Sequence, residues 1–262
     1  MTVSSGATYA LGADDAIGSI AGAGNVELSS YGLTAGGDNS STSFSGVMSG
    51  TGSLSKAGSG TMTLSGANTY TGATNVNAGT LTVSGSLADT TAMTVSSGAT
   101  YALGADDAIG SVAGAGNVEL SSYGLTAGGD DSSTSFSGVM SGTGSLSKAG
   151  SGTMTLSGAN TYTGATNVNA GTLTVSGGLA DTTAVTVASG ATYALGADDA
   201  IGSVAGAGNV ELSSYGLTAG GDNSSTSFSG VMSGTGSLSK AGSGTMTLSG
   251  ANTYTGATNV NA

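Results

Sequence analysis

The peptide MTVSSGATYALGADDAIGS begins at Met1, returns at Met93 and returns again, slightly altered, at Val185. The chain is therefore two full units of 92 residues, 1–92 and 93–184, and a third that runs over 185–262. Few positions differ between copies. Ile20 becomes Val112 and Val204, Asn39 becomes Asp131 and then Asn223, and Ser86 becomes Gly178. A chain that repeats itself at fixed period folds by stacking like on like, because one unit cannot bury its apolar face alone. Single solenoid repeats run ~20–45 residues, so a longer unit holds several turns. The three units are expected to form one continuous solenoid. Met1 sits in the register of Met93 and Val185, which are interior positions, so a piece of a longer protein is expected.

Within each unit the apolar residues alternate. Thr61-Met62-Thr63-Leu64, Thr80-Leu81-Thr82-Val83 and Asn25-Val26-Glu27-Leu28 all have period two, as do Thr8-Tyr9-Ala10-Leu11 and Met1-Thr2-Val3. Period two in β-branched company describes half-buried strands. Met62, Leu64, Leu81 and Val83 are then inward, and Thr61, Thr63, Thr80 and Thr82 outward. Gly, Ser, Asn and Asp between the runs supply turns and positive-φ positions. No helical stripe of useful length is present. About a dozen short strands per unit, three to a coil, give about four coils of about 23 residues, inside the solenoid range. A two-layer sandwich would account less well for the long identical period. Fainter internal likenesses (GAGNVELSSYG from Gly22 with GTGSLSKAGSG from Gly50, SFSG from Ser43 with TYTG from Thr69) have unequal offsets, so turn lengths vary.

Composition closes off several classes. Three Lys against 15 acidic residues give a net charge of −12, with no His. A nucleic-acid binder needs a basic face to displace counterions, and none can form here. No apolar run approaches the ~20 residues of a membrane-spanning helix. No basic segment followed by an apolar stretch marks a signal peptide. Without Cys there is neither disulfide nor thiolate metal site. Proline is absent too, which suits a backbone hydrogen-bonded nearly throughout, since proline removes a ladder donor. A low content of large aliphatic residues raises disorder, but charged residues are only 7% of the chain and the apolar ones are patterned.

The segment GTGSLSKAGSGTMTLSGANTYTGATNVNAGTLTVSG, Gly50 to Gly85, resembles the passenger-associated transport repeat of bacterial autotransporters. Gly58, Gly60, Leu64, Gly66, Asn68, Tyr70, Gly72, Gly79, Leu81 and Val83 fall on that family's ordered pattern, and the string recurs from Gly142 and Gly234. The flanking residues 1–49 are only loosely similar. The resemblance implies an all-β fold, a right-handed parallel β-helix, carried across the outer membrane by a C-terminal barrel. It implies an extracellular place on the bacterial cell surface and service as an adhesin or as the stalk of one.

The candidate sites all have structural readings. Asp14/Asp15, Asp106/Asp107 and Asp198/Asp199 are acidic pairs. Paired carboxylates can serve glycoside hydrolysis. A catalytic constellation demands unique convergent groups, whereas each pair is copied with its surroundings and has no His to assist. Solvated turns are the favoured reading, with no catalytic residue, no cofactor and no enzyme activity expected. The same six aspartates, with Asp38 and Asp89, are weak calcium candidates, being hard oxygen ligands near glycine turns without the spacing of a known calcium loop. Lys56, with Lys148 and Lys240, falls on the inward parity beside Leu54. The expectation is that its strand ends near Ser55 and its amine reaches water over an apolar stem. Asn68, Asn75 and Asn77 are candidates for asparagine ladders between coils. Tyr70 and Phe44 are expected to pack as aromatics rather than bind sugar. A regular ice-binding rank of Thr-x-Thr is not expected, because Thr61/Thr63 and Thr80/Thr82 are 19 residues apart whereas Thr94 lies 14 residues beyond Thr80 and lacks a Thr-x-Thr partner.

The expected function is a structural one: adhesin stalk or repetitive spacer of an exported surface protein. A self-assembling fibre subunit joined through solenoid ends is the alternative, with open strand edges as the joint. A carbohydrate-active or carbohydrate-binding β-helix ranks below both. A surface or carbohydrate ligand is conceivable, a nucleic acid is not.

Overall fold

The structure, a computed structural model, describes residues 1–261; Ala262, the last residue of the third unit, lies outside them. Among the described residues there are strands and turns and no helix, hence no helix long and apolar enough to cross a membrane. The chain divides into two compact halves, Met1–Asp130 and Asp131–Ala262.

In the first half the strands stack as three parallel faces of a β-solenoid. The first face carries Thr2–Val3, Ala21–Gly22, Thr42–Phe44, Thr61–Leu64, Thr80–Val83, Thr100–Leu103 and Asn117–Glu119. The second carries Thr8–Ala10, Asn25–Glu27 and Met48–Ser49, then two coils without a regular strand, joined by an isolated bridge of Ala67 with Ser86, then Asp107–Ile109 and Leu125–Ala127. The third carries Asp15–Ile17, Leu33–Ala35, Leu54–Lys56, Thr74–Val76, Ala92–Val95 and Ser111–Gly114. The second half repeats the arrangement. One face runs from Thr134–Phe136 through Thr153–Leu156 and Thr172–Val175 to Val231–Ser233. Another runs from Leu146–Lys148 through Thr166–Val168 and Ala184–Val187 to Met246–Leu248.

Alternation decides which residues form the core. Met62, Leu64, Leu81 and Val83 are at most 1% exposed, and Thr61, Thr63, Thr80 and Thr82 lie on the outward side. Parallel register turns the inward positions into ranks. Met62 stands beside Leu81, Leu81 beside Tyr101 and Tyr101 beside Val118. Phe44, Leu64, Val83 and Leu103 form a second rank. Every member meets its like in the next coil, so each coil supplies the apolar cover that the other lacks. Phe44 and Tyr70 are wholly buried, as expected of packing aromatics. The replacement of Ile20 by Val112 and Val204 occurs at fully buried positions and removes one methylene from each rank, a change that cores tolerate.

Coils are shorter than the sequence suggests. The partners Thr61, Thr80, Thr100 and Asn117 follow one another at 19, 20 and 17 residues. The average is about 20 residues per coil, not 23. The two degenerate positions on the second face explain the miscount. Around Ala67 and Ser86 the chain passes along a face without forming a regular strand, so a face is used with no period-two run to announce it. A unit of 92 residues thus occupies 14 strand positions, twelve strands and two degenerate passages, which is four and two-thirds coils.

At one corner the coils approach through glycine alone. Gly24, Gly46, Gly66 and Gly85 stack there, and a Cβ on Gly46 would lie 1.6 Å from the carbonyl oxygen of Gly24. On Gly66 it would lie 1.9 Å from the Gly46 oxygen, and on Gly158, its counterpart 92 residues on, 1.8 Å from that of Gly138. No side chain fits between carbonyl and backbone at such distances.

Candidate functional site

The polar residues singled out in the sequence fall at corners and inside the coils. The two aspartates of each acidic pair do different work. Asp106 is exposed, and its Oδ1 accepts the N–H of Gly124 in the following coil at 2.8 Å. Asp14 and Asp198 do the same for Gly32 and Gly216, each at 2.8 Å. The second aspartate turns inward. Asp107 is 5% exposed and accepts the hydroxyl of Tyr101 at 2.7 Å and the N–H of Leu87 at 3.1 Å. Asp199 repeats this with Tyr193 at 2.8 Å and Leu179 at 3.1 Å. In the first copy Asp15 also bonds the Tyr9 hydroxyl and is exposed. The reading of these pairs as solvated turns is corrected at Asp107 and Asp199. The inward parity of Asp-Ala-Ile, which buries Ile109, carries Asp107 in with it.

Neighbours in sequence thus do not converge. One carboxylate of each interior pair is spent on the next coil's backbone and the other on a buried tyrosine. Among the described residues no group of three or more His, Asp or Glu gathers as metal ligands. Asp38, another calcium candidate, bonds the N–H and hydroxyl of Ser40 at 2.9 and 2.6 Å. Asp181, Asp198 and Asp199 border a shallow groove with Thr218 and Ser239, beside the glycine that replaces Ser86 in the second copy.

Burial pushes the carboxyls of Asp107 and Asp199 above the ordinary aspartate value, against the tyrosine and backbone hydrogen bonds that pull them down. Burial first, and the adjacent carboxylate second, push the Tyr101 and Tyr193 hydroxyls well above theirs. A carboxyl whose value is raised by folding stabilises most when protonated, and that contribution is lost as pH rises through the folded-state value. Replacing Asp107 and Asp199 by Asn should therefore flatten the fall in urea midpoint over the pH window that opens above the ordinary aspartate value of about 4. The fully exposed Asp38, held low by Ser40, acts in the opposite sense and is common to both proteins, so their difference isolates the buried pair. A difference that is constant with pH would show that the buried carboxyls do not titrate in this window.

Lys56 is the interior cation. It belongs to the strand Leu54–Lys56, is 0% exposed, and stands in an inward rank between Ala35 and Val76. Its Nζ donates to the carbonyls of Ala57, Gly58 and Ala78 at 2.6, 2.8 and 3.1 Å. An ammonium has three donors, and here each has an acceptor. The expectation that the amine reaches water is corrected: the corner itself solvates it, and Ala78 belongs to the next coil. Lys148 repeats the arrangement with Ala149, Gly150 and Ala170. Desolvation lowers the ammonium's value from its ordinary level.

The asparagine ladders are also corrected. Asn68 is 2% exposed and bonds backbone rather than asparagine. Its Oδ1 accepts the N–H of Met48 from the preceding coil at 3.0 Å, and its Nδ2 donates to Ser86 of the following coil at 3.2 Å. The side-chain amide stands in for the strand missing from that face. Asn75 lies in register with Ser55 and Thr94, and Asn77 is exposed. Asn39, at φ 62°, uses only its oxygen, which accepts the N–H of Ser59 at 2.8 Å. A carboxylate can do the same, and Asp131 accepts Ser151 N–H at 2.6 Å, which explains the Asn-to-Asp change between copies. Thr61, Thr80 and Thr100 do align, but the next rung is Asn117, so the threonine rank spans three coils.

The family model of the passenger-associated transport repeat matches residues 54–83, 146–175 and 238–262. No curated protein and no solved structure matches the chain. The chain therefore carries three passenger-associated transport repeats. Lys56, Gly66, Asn68, Tyr70 and the buried Thr74 that bonds its hydroxyl at 2.5 Å all lie inside the first matched segment. Within this segment the buried Lys56 and Asn68 are thus interior fasteners of the coil stack.

Proposed function

We propose that this chain is a structural segment of an exported bacterial surface protein, serving as a stalk or repetitive spacer. The three transport repeats support the autotransporter class and, through it, a place at the cell surface. The observation that carries the spacer role is the copied register. Thr61 pairs Thr80 in the first unit, and Thr153 pairs Thr172 one unit on. Leu54 pairs Thr74, and Leu146 pairs Thr166. A strand's partner depends only on sequence distance, so units can be added or removed without disturbing any stacking contact. The copied polar groups are consumed by that stacking, and the reading assigns them no catalytic role.

The test is a series with two, three and four units. Four and two-thirds coils at ~4.8 Å should lengthen the particle by ~22 Å per unit in small-angle scattering. The melting midpoint should rise modestly with each, as coil and interface terms accumulate. A maximum dimension that does not grow with copy number would reject the spacer.

A further inference from the structure

The unit does not hold a whole number of coils, and this has a geometric result visible inside each half. Thr2–Val3 lies on the first face, and its counterpart 92 residues later, within Ala92–Val95, lies on the third. Thr8–Ala10 is on the second face, and Thr100–Leu103 on the first. The second half behaves alike: Thr134–Phe136 and Thr226–Phe228 belong to different faces. One sequence therefore serves on more than one face with the same stacking partners. Within each half, the operation that takes a strand to its counterpart 92 residues on is a screw, two-thirds of a turn combined with a rise of ~22 Å, from four and two-thirds strand spacings.

We infer that the repeat array sets direction as well as length: adding or deleting one unit turns everything that follows by two-thirds of a turn about the solenoid axis, and only three units restore the original face. The inference rests on the spacer reading and adds an angular rule to it. Copy number then controls which way a downstream element faces. A partner recognising one outward feature of the unit meets that feature on three sides in turn.

Ser5 and Ser97 are equivalent, exposed and one unit apart. Replace both by Cys, attach a small gold cluster to each, and measure their positions about and along the axis by electron cryotomography. Repeat with two extra units inserted after residue 92, which places the labels three units apart. The exposed pair Thr2 and Thr94 provides a second labelling set, on strands rather than turns. Only variants that keep the parent's β-type circular dichroism are imaged. The expected result is labels a third of a turn apart in the parent, and labels on one side, separated by ~67 Å of stacked strands, in the longer chain. Labels on one side at one-unit spacing would overturn the angular rule. Axial separations that do not grow by equal steps per unit would instead reject the spacer reading.

Discussion

Gly46→Ala should be the most damaging single-methyl change in the first unit. The added carbon would sit 1.6 Å from the Gly24 carbonyl oxygen, and the obstacle is backbone, so no rotamer change relieves it. The coils must part at that corner, which strains the ladder on both adjoining faces. Overpacking commonly costs 1–3 kcal/mol, and a rigid obstacle belongs at the upper end, about 3 kcal/mol or more. Gly12→Ala is the control, because its Cβ meets nothing within 4 Å, and it should stay within about 0.5 kcal/mol of the parent. Urea unfolding, read together with amide exchange on the coils either side of residue 46, measures both. If Gly46→Ala and Gly12→Ala unfold alike, the coils are not in contact through backbone at this corner.

Lys56→Met should be the next most costly. Methionine fills the apolar part of the lysine's space, so packing in the rank of Ala35 and Val76 changes little. What is lost is the donor set for the carbonyls of Ala57, Gly58 and Ala78. Hydrogen bonds to charged groups contribute ~1.5–3 kcal/mol each, and entering water offsets part of that, leaving a loss of about 3 kcal/mol. Amide exchange should locate the damage between the coil of Lys56 and that of Ala78. A variant as stable as the parent would mean that the ammonium's desolvation cancels its bonds.

The strands were legible because alternation is a local property. Met62 and Leu64 against Thr61 and Thr63 need no tertiary knowledge to be sorted inward and outward. The resemblance of Gly50–Gly85 to a known repeat was legible for the same reason, as an ordered string. The coil length was not. It depends on where a face is crossed without a strand, and around Asn68 the side chain replaces the ladder, leaving no alternation to count. The buried charges stood between the two. Parity placed Lys56 inward, and the same arithmetic applied to Asp-Ala-Ile would have placed Asp107 inward beside Ile109. What parity does not show is the partner, since Tyr101 and the carbonyl of Ala78 are brought near only by the turn of the coil. The sequence-level assumption that a charge must find water hid both.

The fasteners that join coils also determine how such a segment behaves under load. Asn68 grips the coils before and after it, Lys56 reaches Ala78, and Asp106 holds Gly124. Each is a bond between adjacent coils only, and none reaches further along the axis. A force that peels the chain from one end meets one set of fasteners at a time, so extension proceeds in discrete steps. Each step frees one coil of about 20 residues, ~70 Å of extended chain at ~3.5 Å per residue, in exchange for a single strand spacing of folded height. In the proposed spacer role such a segment would limit the tension it transmits by giving length, and the coils still stacked would be a template on which the freed chain re-forms when the pull ends.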